Sequence, residues 1–307
     1  MSLFKFIFRV LDVFGYPFQN YKHYKGMKTI KNIVYDPANP KDCRGDVVFD
    51  PELIKTKKLP VVVNIHGGGF QAGDKCCRQS LSERFASEGY FVFNINYTLS
   101  PKSHFPNSVY DVVNGYNYIE ELAKTYNIDL TKVCVTGDSA GGYMAAMVTA
   151  ISFSEDLREH ISAPQITYKP SVFVGGCGVY DLVQSITLVD FPFYYVWNIG
   201  HNFLDNETFK LKKDMSNIDE LSYLPYVSPA AFVNENWCPT FLIISKIDSF
   251  AKGQGELLND ILEKTNIPHD SYTSEKQNHC FHLTFSLKDS KKLYPQMFEF
   301  MKKYLQD

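Results

Sequence analysis

The chain has 307 residues, 45% hydrophobic and 21% charged, with a net charge of −3. That composition suits one large α/β domain with a modest insertion, and the slight negative balance gives no electrostatic reason for nucleic acid or an anionic membrane as partner. Seven cysteines without metal-ligand spacing, two of them adjacent at Cys76 and Cys77, read as reduced thiols in a cytoplasmic setting.

At the N-terminus Phe4, Ile7, Phe8, Leu11 and Phe14 recur at helical spacing, which predicts an amphipathic helix packed on the rest of the protein. Lys5, Arg9 and Asp12 interrupt the run. It is too short to cross a bilayer, and no small-residue cleavage site follows. Thr29–Tyr35 and Asp46–Phe49 read as short strands. Leu59–His66 is a near-continuous apolar run, the pattern of a strand buried on both faces. It ends in His66-Gly67-Gly68-Gly69-Phe70. Consecutive glycines leave backbone N–H groups unobstructed, as a donor pocket for an oxyanion requires. Asp74–Gly89 reads as a helix and Tyr90–Tyr97 as the next strand. A loop containing Pro101 and Pro106 then leads into an amphipathic helix over Val109–Tyr126.

The central feature comes next. The β-branched run Val133–Thr136 meets Gly137-Asp138-Ser139-Ala140-Gly141, and a helix-forming stretch follows. Strand, sharp turn and helix with a serine at the apex is the pattern of an exposed nucleophile at a helix N-terminus, where developing negative charge is favoured. Ser171–Gly176, Thr240–Asp248 and His269–Ser274 are further strands, with helices at Lys252–Thr265 and Lys288–Leu305. The alternation implies a mostly parallel sheet covered on both faces. The stretch 181–228 has no clear core strand and reads as a cap insertion, with 29–180 and 229–307 as the core and 1–28 as a helical segment contributing to the cap. Phe191, Phe193, Tyr194, Tyr195 and Trp197 crowd into that insertion. So many rings cannot all pack inside a small cap, so Phe193 and Trp197 are expected to line the site together with Phe70.

A serine nucleophile needs a base to take its proton and a carboxylate to orient that base. In open α/β sheets the site forms at the carboxyl ends of the strands. Asp248 ends a predicted strand beyond the serine, and His279 and His282 follow it. Asp138 reads as a hydrogen-bonding residue of the turn itself. No ligand spacing suggests a metal.

Taken in order, His66-Gly-Gly-Gly69, Tyr97-Thr-Leu-Ser-Pro101 with Phe105-Pro106, Gly137-Asp-Ser-Ala-Gly-Gly142, Asp248 and His279-Cys-Phe281 resemble the hormone-sensitive-lipase-like branch of the α/β-hydrolases. The resemblance runs from about Val61 to the C-terminus. It implies an α/β-hydrolase fold, a mostly parallel central sheet with helices on both faces and a small helical cap. It also implies a catalytic triad of Ser139, Asp248 and His279, with His279 rather than His282 as base. Gly67, Gly68 and Ala140 would supply the oxyanion donors, and no cofactor is needed. Thr98 and Lys102 stand where the family has Arg and Glu, which puts a structural ion pair behind the site in question. Ser249-Phe250 replaces a Pro-Leu pair after the acid. The expected protein is a cytoplasmic carboxylesterase acting on small short-chain acyl esters. Its partner is a small-molecule ester, with no nucleic acid and no stable membrane insertion, and a homodimer is compatible with the sequence. The alternatives are a deacetylase of acetylated sugars, a lipase resting on the apolar N-terminus, and a non-hydrolytic small-molecule receptor, which would have lost the base that this chain keeps.

Overall fold

The apolar runs of the sequence become the strands of one sheet: Lys28–Val34 (β1), Arg44–Phe49 (β2), Leu59–Ile65 (β3), Phe91–Ile95 (β4), Ile128–Asp138 (β5), Val172–Gly176 (β6), Thr240–Ser245 (β7) and His269–Ser274 (β8). The computed structural model describes residues 16–187, 194–206, 208–212 and 214–306, with the backbone alone for 194–198. Strand order is β1-β2-β4-β3-β5-β6-β7-β8. β1 and β2 pair antiparallel, as do β2 and β4, and every pairing from β4 to β8 is parallel. This is the architecture the sequence implies.

Side-chain parity explains the two cores. Val61, Val63 and Ile65 of β3 join one cluster and Val62 the other, because successive residues of a strand face opposite ways. Helices Gln79–Ser87 (α1), Asn107–Asn117 (α2), Ala140–Phe153 (α3), Tyr194–Leu204 (α4), Gln254–Lys264 (α5) and Lys288–Leu305 (α6) supply the covering. α2, α3 and α5 pack on the face of Val61 and Val63, through residues such as Val112, Met147 and Leu258. α1 and α6 cover the other face through Phe85, Leu293 and Met297. α3 is buried on all sides from Ala140 to Ser152, the state expected of a helix that is hydrophobic all round.

Three expectations need correcting. The single helix over Val109–Tyr126 is two, Asn107–Asn117 and Ile119–Ala123. Gly115 and Asn117 are weak helix formers, and the break at Tyr118 lets Ile119 and Leu122 stay buried. β7 stops at Ser245, so Asp248 stands in the loop beyond it. β5 begins earlier than its apolar run suggests, because Ile128 pairs with Leu59 across an irregularity at Pro60–Val61.

The proposed N-terminal helix falls largely outside the described residues. From residue 16 onward, the segment is tied to α1 and the turn before it. Asn20 Nδ2 donates to the Cys77 carbonyl at 3.1 Å, Ser80 N–H donates to Asn20 Oδ1 at 3.0 Å, and Tyr24 N–H donates to Glu83 at 3.0 Å. Within 181–228 the described residues hold Leu182–Thr187, α4 and two short 3-10 turns, and no strand. No helix among the described residues is long and apolar enough to cross a membrane.

Candidate active site

Because β3 and β5 to β8 run parallel, the loops after them emerge along one edge of the sheet. The turn after β5 carries Ser139 at φ 54 and ψ −121, a left-handed conformation that a non-glycine residue adopts at a cost. The Ser139 N–H donates to the Gly176 carbonyl at 2.8 Å, which anchors the turn to the end of β6. The first N–H groups of α3, starting with Ala140, have no preceding helical carbonyl to bond, so they form a positive site beside the serine hydroxyl.

The glycine loop after β3 presses against this turn. A Cβ on Gly67 would lie 2.5 Å from both the backbone and side-chain oxygens of Asp138 and 3.0 Å from the Ser139 Cβ, so only glycine fits. Gly68 sits at φ +130, a region closed to other residues. His66 is buried and donates from Nδ1 to the Gly67 carbonyl at 2.8 Å, with its ring stacked on Tyr97 at 4.8 Å. Burial pulls its pKa below the usual histidine value, so it braces the loop as a neutral ring.

Asp248 and His279 meet across the same edge. Nδ1 of His279 lies 2.9 Å from each Asp248 oxygen. The Asp248 oxygen Oδ1 also accepts the N–H groups of Phe250 and Ala251 at 2.8 and 2.7 Å. Burial alone would raise the Asp248 carboxyl, but the His279 ring and these donors hold it below its ordinary range. Burial would likewise favour a neutral His279, yet the Asp248 charge prevails and raises the ring above its ordinary 6.5. His279 Nδ1–H therefore points at a carboxylate, which leaves Nε2 as the acceptor nitrogen. The His279 side chain keeps 14% exposure. Phe250, in the Ser-Phe pair that departs from the family pattern, packs its ring 5.0 Å from that imidazole.

Asp138 needs a correction. Its partner is not within the turn but Arg78, just ahead of α1, which donates Nε to Oδ1 and Nη2 to Oδ2, both at 2.6 Å. Arg78 is buried and also donates Nη1 to Gln19 at 2.9 Å. The physical reason is that a carboxylate buried behind the serine needs a full counter-charge rather than neutral turn donors. No spacing rule links positions so far apart. The available signal was a charged residue in an apolar turn, with Lys75 and Arg78 just beyond the glycine loop. At the departures from the family pattern, Thr98 accepts from Asn39 and its N–H donates to Asp111, while Lys102 pairs with Asp42 at the surface.

His282 stands apart from the Asp248 carboxylate's hydrogen bonds, which go to His279, Phe250 and Ala251. It lies in the 3-10 turn Phe281–Leu283 ahead of α6, buried against Gly176. Cys177, the residue after β6, is buried beside His279 and Asp248. Phe70 is buried as well, stacked face to face on Phe203 of α4 at 4.0 Å and edge-on to Tyr143 of α3 at 5.2 Å. Sequence reasoning passed over Phe203, because the end of a helix with no visible anchor gave it no periodic context. Phe193 lies outside the described residues, as does the side chain of Trp197.

Known proteins share this fold. The BD-FAE family profile matches residues 47–262, well over half of the chain. The chain belongs to the BD-FAE family of α/β-hydrolase esterases. Among curated relatives, tuliposide A-converting enzyme b1 of Tulipa gesneriana is 30% identical over 140 residues, covering 38% of this chain and 37% of that protein. Esterase LipI of Mycobacterium tuberculosis is 28% identical over 123 residues, 40% of this chain and 38% of the relative. The chain thus spans little more than a third of the length of these relatives. Esterase B of Lactobacillus rhamnosis superposes with a TM-score of 0.81 at 18% identity, over 98% of this chain and 94% of its own. A bacterial heroin esterase superposes with a TM-score of 0.76 at 18% identity, over 97% and 91%. These two likenesses are of fold. The BD-FAE match covers β3, the glycine loop, the serine turn and Asp248, and ends before His279.

Proposed function

We propose that this BD-FAE member is a serine carboxylesterase that hydrolyses small short-chain acyl esters. One observation carries the reading: the His279 Nδ1–Asp248 pair at 2.9 Å shares an edge of the sheet with a serine held at positive φ on a helix N-terminus. In this reading Nε2 of His279 takes the Ser139 hydroxyl proton as Oγ attacks the ester carbonyl. The carbonyl oxygen becomes an oxyanion, received by the N–H groups of Gly67, Gly68 and Ala140. His279 gives its proton to the departing alcohol, which leaves the acyl group on Ser139. Water then loses a proton to the same nitrogen, attacks the acyl carbon and releases the acid. Asp248 fixes the imidazole tautomer and stabilises the imidazolium without itself being protonated.

The preference for short acyl chains is supported by the rings beside the glycine loop. Phe70, Phe203 and Tyr143 form a tight buried stack, and rigid rings leave little room for a long tail. The retained base argues against the receptor alternative. The test is Ser139→Ala, which removes the nucleophile with little change in volume. Hydrolysis of p-nitrophenyl acetate should fall by about 10³-fold or more with the melting transition intact. Near-native turnover in that variant would overturn the reading.

A further inference from the structure

Beside the Asp248–His279 pair stands a donor that ester hydrolysis does not use. Cys177 follows β6, is buried with 5% exposure, and has a left-handed backbone at φ 47. Its sulfur, an Asp248 oxygen and a His279 ring nitrogen all lie within 4.8 Å of one another. The loops after β6, β7 and β8 each supply one of the three. They converge at one point by construction of the parallel sheet.

We propose that Cys177, Asp248 and His279 form a binding site for a borderline-soft divalent cation, Zn²⁺ being the best fit, and that occupancy of this site switches the ester site off. The metal site stands on the donor geometry alone. The inhibition rests on the reading of His279 as the base.

Donor chemistry selects the ion. Sulfur, imidazole nitrogen and carboxylate oxygen are the ligands Zn²⁺ takes, whereas Mg²⁺ and Ca²⁺ call for shells of oxygen that one carboxylate cannot provide. Charge agrees as well. One thiolate and one carboxylate balance a dication, so the buried cluster carries no net charge when loaded. Bond lengths of roughly 2.0–2.3 Å at tetrahedral angles put the donors about 3.4–3.6 Å apart. The Asp248–His279 contact must therefore open by about half an ångström from 2.9 Å while the sulfur closes in. Three protein ligands leave a fourth position for water.

The proton balance explains the inhibition. The ion displaces the Nδ1 proton of His279, and the ring adopts the other tautomer with that proton on Nε2. The Cys177 thiol proton goes to solvent, so one proton is released per ion. An imidazole carrying hydrogen on Nε2 cannot accept the proton of Ser139.

The experiment titrates metal-free protein with Co²⁺ as a spectroscopic probe and, separately, with Zn²⁺ during p-nitrophenyl acetate hydrolysis. Wild type should show a near-ultraviolet thiolate-to-cobalt band that saturates at one equivalent and is abolished by Zn²⁺. Zn²⁺ should inhibit with matching affinity, reversibly by chelator, and release one proton per ion. Cys177→Ser should lose the band and raise the half-inhibitory Zn²⁺ concentration at least tenfold relative to its own uninhibited rate. Cys76→Ser, which alters the exposed cysteine, should keep both band and inhibition. Should Cys177→Ser fold poorly, Asp248→Asn provides the second test, with a band weakened at least tenfold in affinity. A band or an inhibition indifferent to Cys177, or none at tenfold excess of ion over wild type, overturns the proposal. Ser139→Ala separates the two readings. A full cobalt band in that variant supports the metal site whatever its rate on esters, while an active wild type without the band sinks the metal site alone.

Discussion

Two aspartates flank the serine turn, and both are buried with nitrogen partners at both oxygens. Asp138 meets a guanidinium at 2.6 Å twice, and Asp248 meets one imidazole nitrogen at 2.9 Å twice. What separates them is the partner. Arg78 never gives up its proton, and its pair with Asp138 is sealed at 6% and 3% exposure. The ring of His279 titrates, and it keeps an open edge. The same carboxylate chemistry thus makes a fixed clamp on one side of Ser139 and, in the proposed mechanism, an orienting group for a mobile proton on the other. Breaking the first should cost stability, and breaking the second should cost rate.

The largest effect is expected at His279. His279→Ala should lose hydrolysis about as severely as Ser139→Ala, on the order of 10³-fold or more, because residues acting as a unit fail together. His282→Ala should cost far less in rate, since that ring is packed on Gly176 and the nitrogen on the Asp248 oxygens belongs to His279. Steady-state kinetics on the two variants checks the ranking, and a reversed order would move the base by three positions.

Asp248→Asn comes next. The amide keeps the shape of the site but favours the wrong imidazole tautomer, so the rate should fall by roughly 10²–10⁴ with little loss of stability. The pH profile sharpens the point. The proposed mechanism needs neutral His279, whose pKa is raised above 6.5 by the Asp248 charge. Activity should therefore be lost as pH falls through that raised value. Residual activity in Asp248→Asn should persist to lower pH, since the raising charge is gone. An acid limb that stayed in place would show that Asp248 does not set the titration.

Arg78→Met tests the clamp. It leaves a buried carboxylate unpaired, which should destabilise the fold by about 3–5 kcal/mol, read from chemical denaturation. The acid limb of the surviving activity should move less than in Asp248→Asn, because Asp138 is a smaller contributor than Asp248 to the raised His279 pKa. Arg78→Lys should fall between, because a single ammonium cannot bind both oxygens of Asp138 in a planar fork.

These two pairs also show what a sequence can reveal. β3, β5 and the turn at Ser139 were legible because their signals are local: apolar runs, β-branched residues and glycines at fixed offsets. Asp248 and a histidine of the last loop were legible from chain order and strand ends, even though β7 stops short of Asp248, while the choice of His279 over His282 came from the family resemblance. The Arg78–Asp138 pair was not, since its partners are joined only by the tertiary fold. The stack of Phe70 on Phe203 was hidden for the same reason, and Cys177 looked like one of seven scattered thiols until three strand ends brought it beside His279. The broken helix at Tyr118 was missed because the apolar period continues through it while the backbone does not.

The smallest effect concerns the rings stacked beside the glycine loop. Phe203 is fully buried, stacked on Phe70 and edge-on to Tyr143 at 5.5 Å and Phe105 at 5.9 Å. In the proposed reading this stack walls the acyl site, so an acyl chain should gain about 0.8 kcal/mol per methylene until contact, after which overpacking reverses the trend. At 1.36 kcal/mol per tenfold, that gain is about fourfold in kcat/KM for each added carbon. The profile should therefore peak between acetyl and butyryl esters and fall steeply by octanoyl. Phe203→Leu removes the far edge of the ring without emptying the site as alanine would, so the optimum should move out by about two carbons. Acyl-length profiles of wild type and variant decide it. An unchanged optimum would mean that the stack only holds α4 against the glycine loop. A wild-type optimum at about ten carbons or more would mean an open groove, and the lipase alternative would replace the short-chain reading.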